Sequence, residues 1–477
     1  MFSLIPYPRD VQLTDQKGAI VASVGGADIF PGASDTLSDY ARRIFGLSLS
    51  AEREGNICFV KCDSCAPEEY ILELNAEKIT LYASSELGAN HAAVTLLQLI
   101  SVSHGHVRFP LGRIHDVPDK NWRGFMLDLA RVRKSKEQIL SYIDMCRFYK
   151  IRYFHLHFND DQSYTLPSAR YPALSTPESH YSFEDIREIL AYAAKRGVTI
   201  LPELDMPGHC TAFQGAYPEI FGDDGILCIG EKSMAAIEEI TGEFCETFAD
   251  AEYIHIGADE ANILLWTKCE KCREAMCHVD PDFLGRDERE QAEFMYAYFV
   301  SRICRLVKRY GKKPVIWEGV SERYNHMIPK DTVVMSWENF YQTTSQLTNA
   351  GFRVINCSWK PMYVVKSKRL WSPKTIYDWN VHEWEAVHTE SPYYRNPYTE
   401  SKTEQVMGAQ LLAWSDGIWF HKEDPVLGAA EEMTLVEQRI PALAENTWNV
   451  RKVSDWAEFS LRARKVASRY QKLKNGK

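Results

Sequence analysis

Between residues 116 and 414 the chain repeats a short apolar run eight times, and seven of the eight stop at polar or aromatic side chains. The runs lie at 123–129, 153–158, 198–204, 253–257, 315–317, 333–337, 352–357 and 410–414. Each is too short for a helix and too continuously apolar to leave one face in water, the pattern of a strand buried on both sides of a parallel sheet. Helical stretches at 136–149, 183–196 and 235–248 follow early runs. Eight such strands within a few hundred residues predict an α/β chain folded as a closed (β/α)8 TIM barrel rather than an open doubly wound sheet. The stretch between the seventh and eighth runs is long and irregular, and such segments usually carry function or move. From Glu431 the chain reads helical and basic to Lys477, a tail expected to pack the last helix against the barrel.

Residues 1–115 follow a different rhythm. Short alternating runs at 57–60, 70–74 and 78–82 read as strands, the last two joined by Asn75-Ala76-Glu77 as a hairpin. A helical stretch at 85–102 has apolar residues spaced by three and four. The division expected is therefore a small non-catalytic α+β domain at 1–115 and a barrel domain with a helical tail at 116–477. A 45% hydrophobic, 25% charged composition is that of a globular chain with a real core. With a net charge of −10 and no basic patch, nucleic acid is not an expected partner. No apolar run reaches the roughly 18 residues of a membrane span, so no membrane association is expected. The start, MFSLIPYPRDVQL, lacks the pattern of a secretory leader, so a cytoplasmic protein with reduced cysteines is expected.

The chemistry collects where the runs end. Asp128 and Arg131 follow the first, Asn159-Asp160-Asp161 the second, and Asp205 to His209 the third. Asp259-Glu260 follow the fourth, Trp317-Glu318 end the fifth, Trp337-Glu338 the sixth, and Trp414-Ser415-Asp416 the eighth. Asp-Glu alone would equally cap a helix, and single tryptophans are usually core. Polar or aromatic groups at seven of eight strand ends, all on the face where barrels carry their sites, are hard to explain by packing. Carboxylates among aromatics, with no glycine-rich phosphate loop or serine elbow, point to glycoside hydrolysis, which needs an acid for the leaving oxygen and a partner at the anomeric carbon. Neighbouring residues tend to point in different directions, so Asp259 is badly placed to attack opposite Glu260. Adjacency is easier to understand if the nucleophile belongs to the substrate, as with a 2-acetamido carbonyl.

These motifs carry a resemblance. HIGADE at 255–260 resembles the His-x-Gly-Gly/Ala-Asp-Glu motif of glycoside hydrolase family 20, the β-N-acetylhexosaminidases. WRGFMLDLAR at 122–131, HLHFNDDQ at 155–162, ELDMPGH at 203–209, LLAWSD at 411–416 and RIPALAENTW at 439–448 are similar to further motifs of that family, in its order. Residues 70–100 look like the domain that precedes its barrel. The resemblance implies a retaining, exo-acting enzyme that removes terminal β-linked GlcNAc or GalNAc from oligosaccharides or glycoconjugates through an oxazolinium intermediate, without a cofactor. In this reading Glu260 is the acid/base, Asp259 holds the acetamido N–H, and Tyr363 binds the acetamido carbonyl. His209 and Asp160 tune the acid. Arg131 grips sugar hydroxyls, Trp317, Trp337 and Trp414 wall the acetamido pocket, Trp379 stacks near the leaving group, and Asp416 reads a hydroxyl.

Two positions depart from the family pattern. Val365 stands where an aspartate commonly follows the tyrosine, and Asp416 is one methylene shorter than the usual glutamate. Both touch the hydroxyl-reading side, which leaves the choice between gluco, galacto and substituted sugars open. Cys269-x-x-Cys272 followed by Cys277-His278 has a spacing that could hold a small zinc site pinning the loop after HIGADE. Cys62-x-x-Cys65 reads as inert, and His155-x-His157 as structural. Two other functions stand beside the leading one: an inactive amino-sugar-binding relative, and a metal-dependent barrel hydrolase. The sequence does not give the oligomeric state.

Overall fold

The computed structural model describes residues 1–366 and 369–476. Its N-terminal sheet contains β1 (Asp10–Ile20), β2 (Ser23–Gly25), β3 (Ser50–Ala51), β4 (Ile57–Lys61), β5 (Tyr70–Asn75), β6 (Lys78–Ala83), β7 (Ser101–Ser103) and β8 (His106–Asp116). The order across it is β1-β8-β5-β6-β4-β2-β3, with β7 paired to β8. The predicted hairpin is β5–β6, in register from Tyr70–Ala83 to Asn75–Lys78. The helix Glu86–Leu99 lies on it and is buried nearly all round, because its outer side meets the barrel instead of water. There Gln98 donates to the Phe148 carbonyl at 3.0 Å. The long strands β1 and β8 and the helix Pro31–Phe45 have no counterpart in the sequence reading. Most of β1 (DVQLTDQKGAI) is exposed, so it lacks an apolar signature.

All eight predicted barrel strands are present. They are β9 (Trp122–Asp128), β10 (Tyr153–His157), β11 (Thr199–Met206), β12 (Tyr253–Gly257), β13 (Lys313–Trp317), β14 (Val333–Ser336) and β15 (Arg353–Asn356), closed by the eighth. Before that strand come β16 (Tyr363–Val365), β17 (Arg369–Leu370), β18 (Glu383–Trp384) and β19 (Tyr398–Thr399); the eighth itself is β20 (Val406–Trp414). Neighbours pair in parallel from β9 to β15, and β20 pairs with both β15 and β9, which closes the ring. Closure removes every edge and turns both faces of each strand inward to packing, which explains the uninterrupted apolar runs. Helices start where side chains satisfy their free N–H groups: Ser135 with Gln138, and Ser182 with Asp185, form reciprocal caps.

The irregular segment before β20 holds the short helices Trp359–Met362 and Pro373–Asp378 and the two-stranded β18–β19 sheet, not one long crossover helix. The basic tail becomes two helices. Pro425–Trp448 packs on β9 and β20, while Trp456–Asn475 lies across the seam, against both the helix Pro31–Phe45 and the barrel helix Lys136–Phe148. Arg43 donates to the Leu473 carbonyl there at 2.8 Å. No described helix is long and apolar enough to cross a membrane.

Candidate active site

The carboxyl end of the barrel opens into a pocket of about 120 Å³ lined by Arg131, Asp160, Asp205, His209, Asp259, Glu260, Trp337, Trp359, Tyr363, Val365, Trp414 and Asp416. Nine of the predicted site residues meet here. Glu260 also borders an adjoining cavity of about 510 Å³, walled by Asn262, Leu264, Tyr296, Phe340 and Tyr341 among others.

The end of β12 is made by close approach. Gly257 has φ +72°, and a Cβ there would stand 1.7 Å from Asp205 Oδ1, so the strand can turn against β11 only without a side chain. Ala258 and Glu260 follow at φ +73° and +43°, and His209 opposite sits at +51°. Non-glycine residues adopt this region at a cost, and a run of them around Asp259 marks backbone held for a purpose.

Behind Glu260 stands a row of alternating acids and bases. His209 Nε2 lies 3.5 Å from Glu260 Oε2, and His209 Nδ1 lies 3.2 Å from Asp160 Oδ1. Asp160 Oδ2 meets His157 Nε2 at 3.0 Å and Arg131 Nη2 at 2.7 Å. His157 Nδ1 reaches the fully buried Glu203 at 2.5 Å, and Glu203 is also met by His155 at 3.0 Å, His255 at 2.9 Å and the Trp317 indole at 2.7 Å. Burial alone would lower the imidazole of His209, but its hydrogen bonds with Asp160 and Glu260 raise it well above its ordinary value. The His209 contact in turn holds Glu260 below the usual carboxylate range, against burial. The same contest goes to the charged form at Asp160, where bonds from His157 and His209 and the charge of Arg131 outweigh burial. Both shifts favour the proton shared by His209 and Glu260 resting on the imidazole.

Asp259 is the opposite case. Burial, then the neighbouring charges of Glu260 and Glu203, push its carboxyl up to about 7, and Oδ1 has no hydrogen-bond partner among the described residues. Asp205 beside it is raised for the same reasons, burial first and Asp259 next. A buried acceptor without a donor is costly unless a ligand supplies one, and an amide N–H has that chemistry.

The remaining walls are aromatic. Tyr363 is buried amid Trp359 at 5.0 Å and Trp337 and Trp414 at 6.3 Å between ring centroids. Glu318 fixes the Trp337 corner by accepting the N–H groups of Trp337, Asn339 and Phe340 at 2.8–3.2 Å; burial still raises its carboxyl to about 8. On the far side Asp128 accepts the Arg131 N–H at 3.0 Å and its guanidinium at 3.1 Å, and also takes the N–H of Ser415 from β20. Arg131 thus lies over the Trp414 ring, 5.2 Å from its centroid, with Asp416 nearby in the same pocket.

Two expected site residues stand elsewhere. Trp317 lies one layer below the pocket, where its indole is bound to Glu203 rather than facing a ligand. Trp379 lies outside the pocket: it ends the helix Pro373–Asp378, donates to the Glu383 carbonyl, and its own carbonyl is held by Asn446 and Lys452 of the C-terminal region. Trp359, four residues before Tyr363, takes the wall position instead. Sequence reading passed over it, along with Asp205 as a wall residue. The two-residue spacing of His155 and His157 did signal side chains sharing one face. The zinc expectation also changes. Cys277 and His278 sit at the far end of the helix Glu270–Val279, with His278 exposed, and do not join Cys269 and Cys272; Cys228 does.

The family model described as "Glycosyl hydrolase family 20, catalytic domain" matches residues 121–451, and that of "Glycosyl hydrolase family 20, domain 2" matches residues 1–117. Among curated relatives, a "Beta-hexosaminidase" of Porphyromonas gingivalis is 27% identical over 96% of this chain and 62% of its own length. One of Vibrio furnissii is 27% identical over 73% of this chain and 61% of its own, and one of Akkermansia muciniphila 27% over 85% and 83%. The chain thus spans less than two thirds of the length of the first two. Among solved structures, the GH20 exo β-N-acetylglucosaminidase of Vibrio harveyi in complex with N-acetylglucosamine superposes with a TM-score of 0.79 at 24% identity, over 97% of this chain and 76% of that one. The GH20 β-N-acetylhexosaminidase of Streptomyces coelicolor gives 0.77 at 23%, over 99% and 96%. The fold is shared with both.

Proposed function

The chain belongs to glycosyl hydrolase family 20, and from that premise we propose that it is a retaining exo-β-N-acetylhexosaminidase in which the substrate's own acetamido group is the nucleophile. The observation that carries the reading is the pair at the end of β12: a half-exposed Glu260 bound to His209, beside a buried Asp259 whose Oδ1 lacks a donor, both facing the pocket that holds Tyr363.

In this mechanism a terminal sugar enters with its acetamido group among Trp337, Trp359, Tyr363 and Trp414. Asp259, ionised, accepts the amide N–H, while the Tyr363 hydroxyl donates to the carbonyl oxygen and turns it toward the anomeric carbon. As the sugar covers Glu260, water is lost around it and the proton on His209 passes to the carboxylate, readying the acid. Glu260 protonates the glycosidic oxygen as the carbonyl oxygen attacks C1. The C–O bond to the leaving group breaks and a cyclic oxazolinium forms. Asp259 stabilises its positive charge. Glu260, now a base, takes a proton from water, whose oxygen opens the ring with retention. The leaving group lies over Glu260, so the adjoining cavity with Phe340 and Tyr341 is its place.

The exo preference is supported by the closed floor, where Trp317, Glu203 and the three histidines fill the barrel beneath the pocket. A side-by-side comparison of aryl β-GlcNAc, aryl β-GalNAc and 6-sulfated aryl β-GlcNAc tests the reading, with turnover of at least one expected. Silence on all three would favour the binding-only alternative. Glu260→Gln should lower hydrolysis of an unactivated disaccharide by about 10²–10⁴-fold; unchanged turnover would refute Glu260 as the acid.

A further inference from the structure

The loops after β11 and β12, which carry His209 and Glu260, meet a second time away from the pocket. Cys228 ends the first loop, and Cys269 and Cys272 open the helix Glu270–Val279 that follows the second. Their three sulfurs lie within 4.8 Å of one another. Cys228 Sγ and Cys272 Sγ are 3.6 Å apart. That is far beyond the roughly 2.05 Å of a disulfide. It is close to the ~3.8 Å edge of a tetrahedron of sulfurs each about 2.3 Å from a zinc ion. Two backbone N–H groups already point at sulfur, Ile229 at Cys272 and Gly230 at Cys228, both at 3.4 Å. Such donors offset thiolate charge. All three cysteines line a cavity of about 370 Å³ whose wall also carries Asp223, Asp224 and Lys271.

We propose that Cys228, Cys269 and Cys272 bind one zinc ion that ties the His209 loop to the Glu260 loop. Three thiols give up their protons to solvent as three Zn–S bonds form, so no oxidant is needed. The fourth position opens on the cavity, where water or one of the two aspartates supplies oxygen. A soft, filled-shell cation suits this set, whereas calcium or magnesium would require oxygen donors. The ion's role is positional. The Trp266 indole on the Leu227 carbonyl at 2.8 Å and the long His209–Glu260 contact join the same two loops. Cys277, five residues and about 7.5 Å further along the helix, is not a ligand.

The test is metal analysis of the full chain purified under reducing conditions with zinc present and then dialysed. One zinc per chain is expected, lost in Cys228→Ser and Cys269→Ser and kept in Cys277→Ser. Cys272 is fully buried, so the half-buried Cys269 is the safer variant to fold. In the wild type, alkylation should spare the three cysteines until a chelator is added, and the chelator should lower Tm. Absence of zinc, its retention in both serine variants, or a Cys228–Cys272 disulfide would each overturn the proposal. Metal content is read without hydrolysis, so this result and the glycosidase test stand or fall separately.

Discussion

Asp259 is a carboxyl that folding makes harder to ionise. Its value rises from about 3.9 in an unfolded chain to about 7 here, with burial the largest cause. A raised carboxyl contributes stability that is complete below the unfolded value and is lost as pH rises through 7, so at pH 8 the buried anion is a burden. Asp259→Asn should therefore be more stable than the wild type at pH 8, by up to about 4 kcal/mol, and melt at a higher temperature, with the gap closing toward pH 4. The same substitution should lower kcat/KM by about 10²–10³-fold and remove the decline in activity expected as the wild type is taken below pH 7. Thermal melts and pH–rate profiles of the two proteins check both halves; a less stable Asp259→Asn at pH 8 would mean the carboxylate is better satisfied than its surroundings suggest. Glu260, Asp259, His209 and Arg131 were legible because motif order fixed their strand ends. The direction of each proton equilibrium was not, since it depends on neighbours from other strands: Asp160 and Glu260 for His209, Glu203 for Asp259.

At the scale of elements, the barrel strands were legible because closure makes their runs apolar throughout, and β1 was not because it is mostly exposed. The loop between β15 and β20 shows the same limit. Trp359 and Trp379 both lie near Tyr363 in sequence, and only the chain's path separates a pocket wall from a brace on the C-terminal helices. Two substitutions distinguish them. Trp359→Ala should raise KM for an aryl glycoside while leaving Tm within a few degrees; Trp379→Ala should lower Tm with KM little changed. The reverse pattern, from kinetics and melts, would exchange their roles. At the end of β12, Gly257→Ala places a methyl on Asp205 Oδ1 in a backbone region that side chains rarely adopt. It should cost several kcal/mol or abolish soluble expression; a variant that melts like the wild type would show that β11 and β12 can separate there.

For the whole molecule, buried charge joins the N-terminal sheet to the barrel, so the two are expected to unfold together. Glu68, from the loop before β5, is bound by Arg123 of β9, by His91 at 3.1 Å and by Arg152 at 2.8 Å, and Arg123 lies over the Trp448 ring. Burial would raise the Glu68 carboxyl, but Arg123 and its other partners hold it well below the usual range. Glu68→Gln leaves Arg123 buried without its counter-charge and should cost about 3–5 kcal/mol. Calorimetry should show one transition shifted downward, whereas two separated transitions would mean that the units melt independently. Nothing in the sequence around Glu68 marks it, because its partners come from positions 23 to 84 residues away.

In the proposed mechanism this scaffolding holds Asp259 and Tyr363 on either side of a substrate amide, and the substrate, not the protein, supplies the nucleophile. The measurement that tests it most directly is kcat/KM for a series of aryl glycosides whose 2-acetamido group carries none, one, two or three fluorines. Each fluorine withdraws electrons from the carbonyl oxygen and weakens it as a nucleophile without altering the leaving group. If the acetamido oxygen attacks the anomeric carbon, kcat/KM falls steeply and steadily along the series. A flat series would contradict the account and return the search for a nucleophile to the protein.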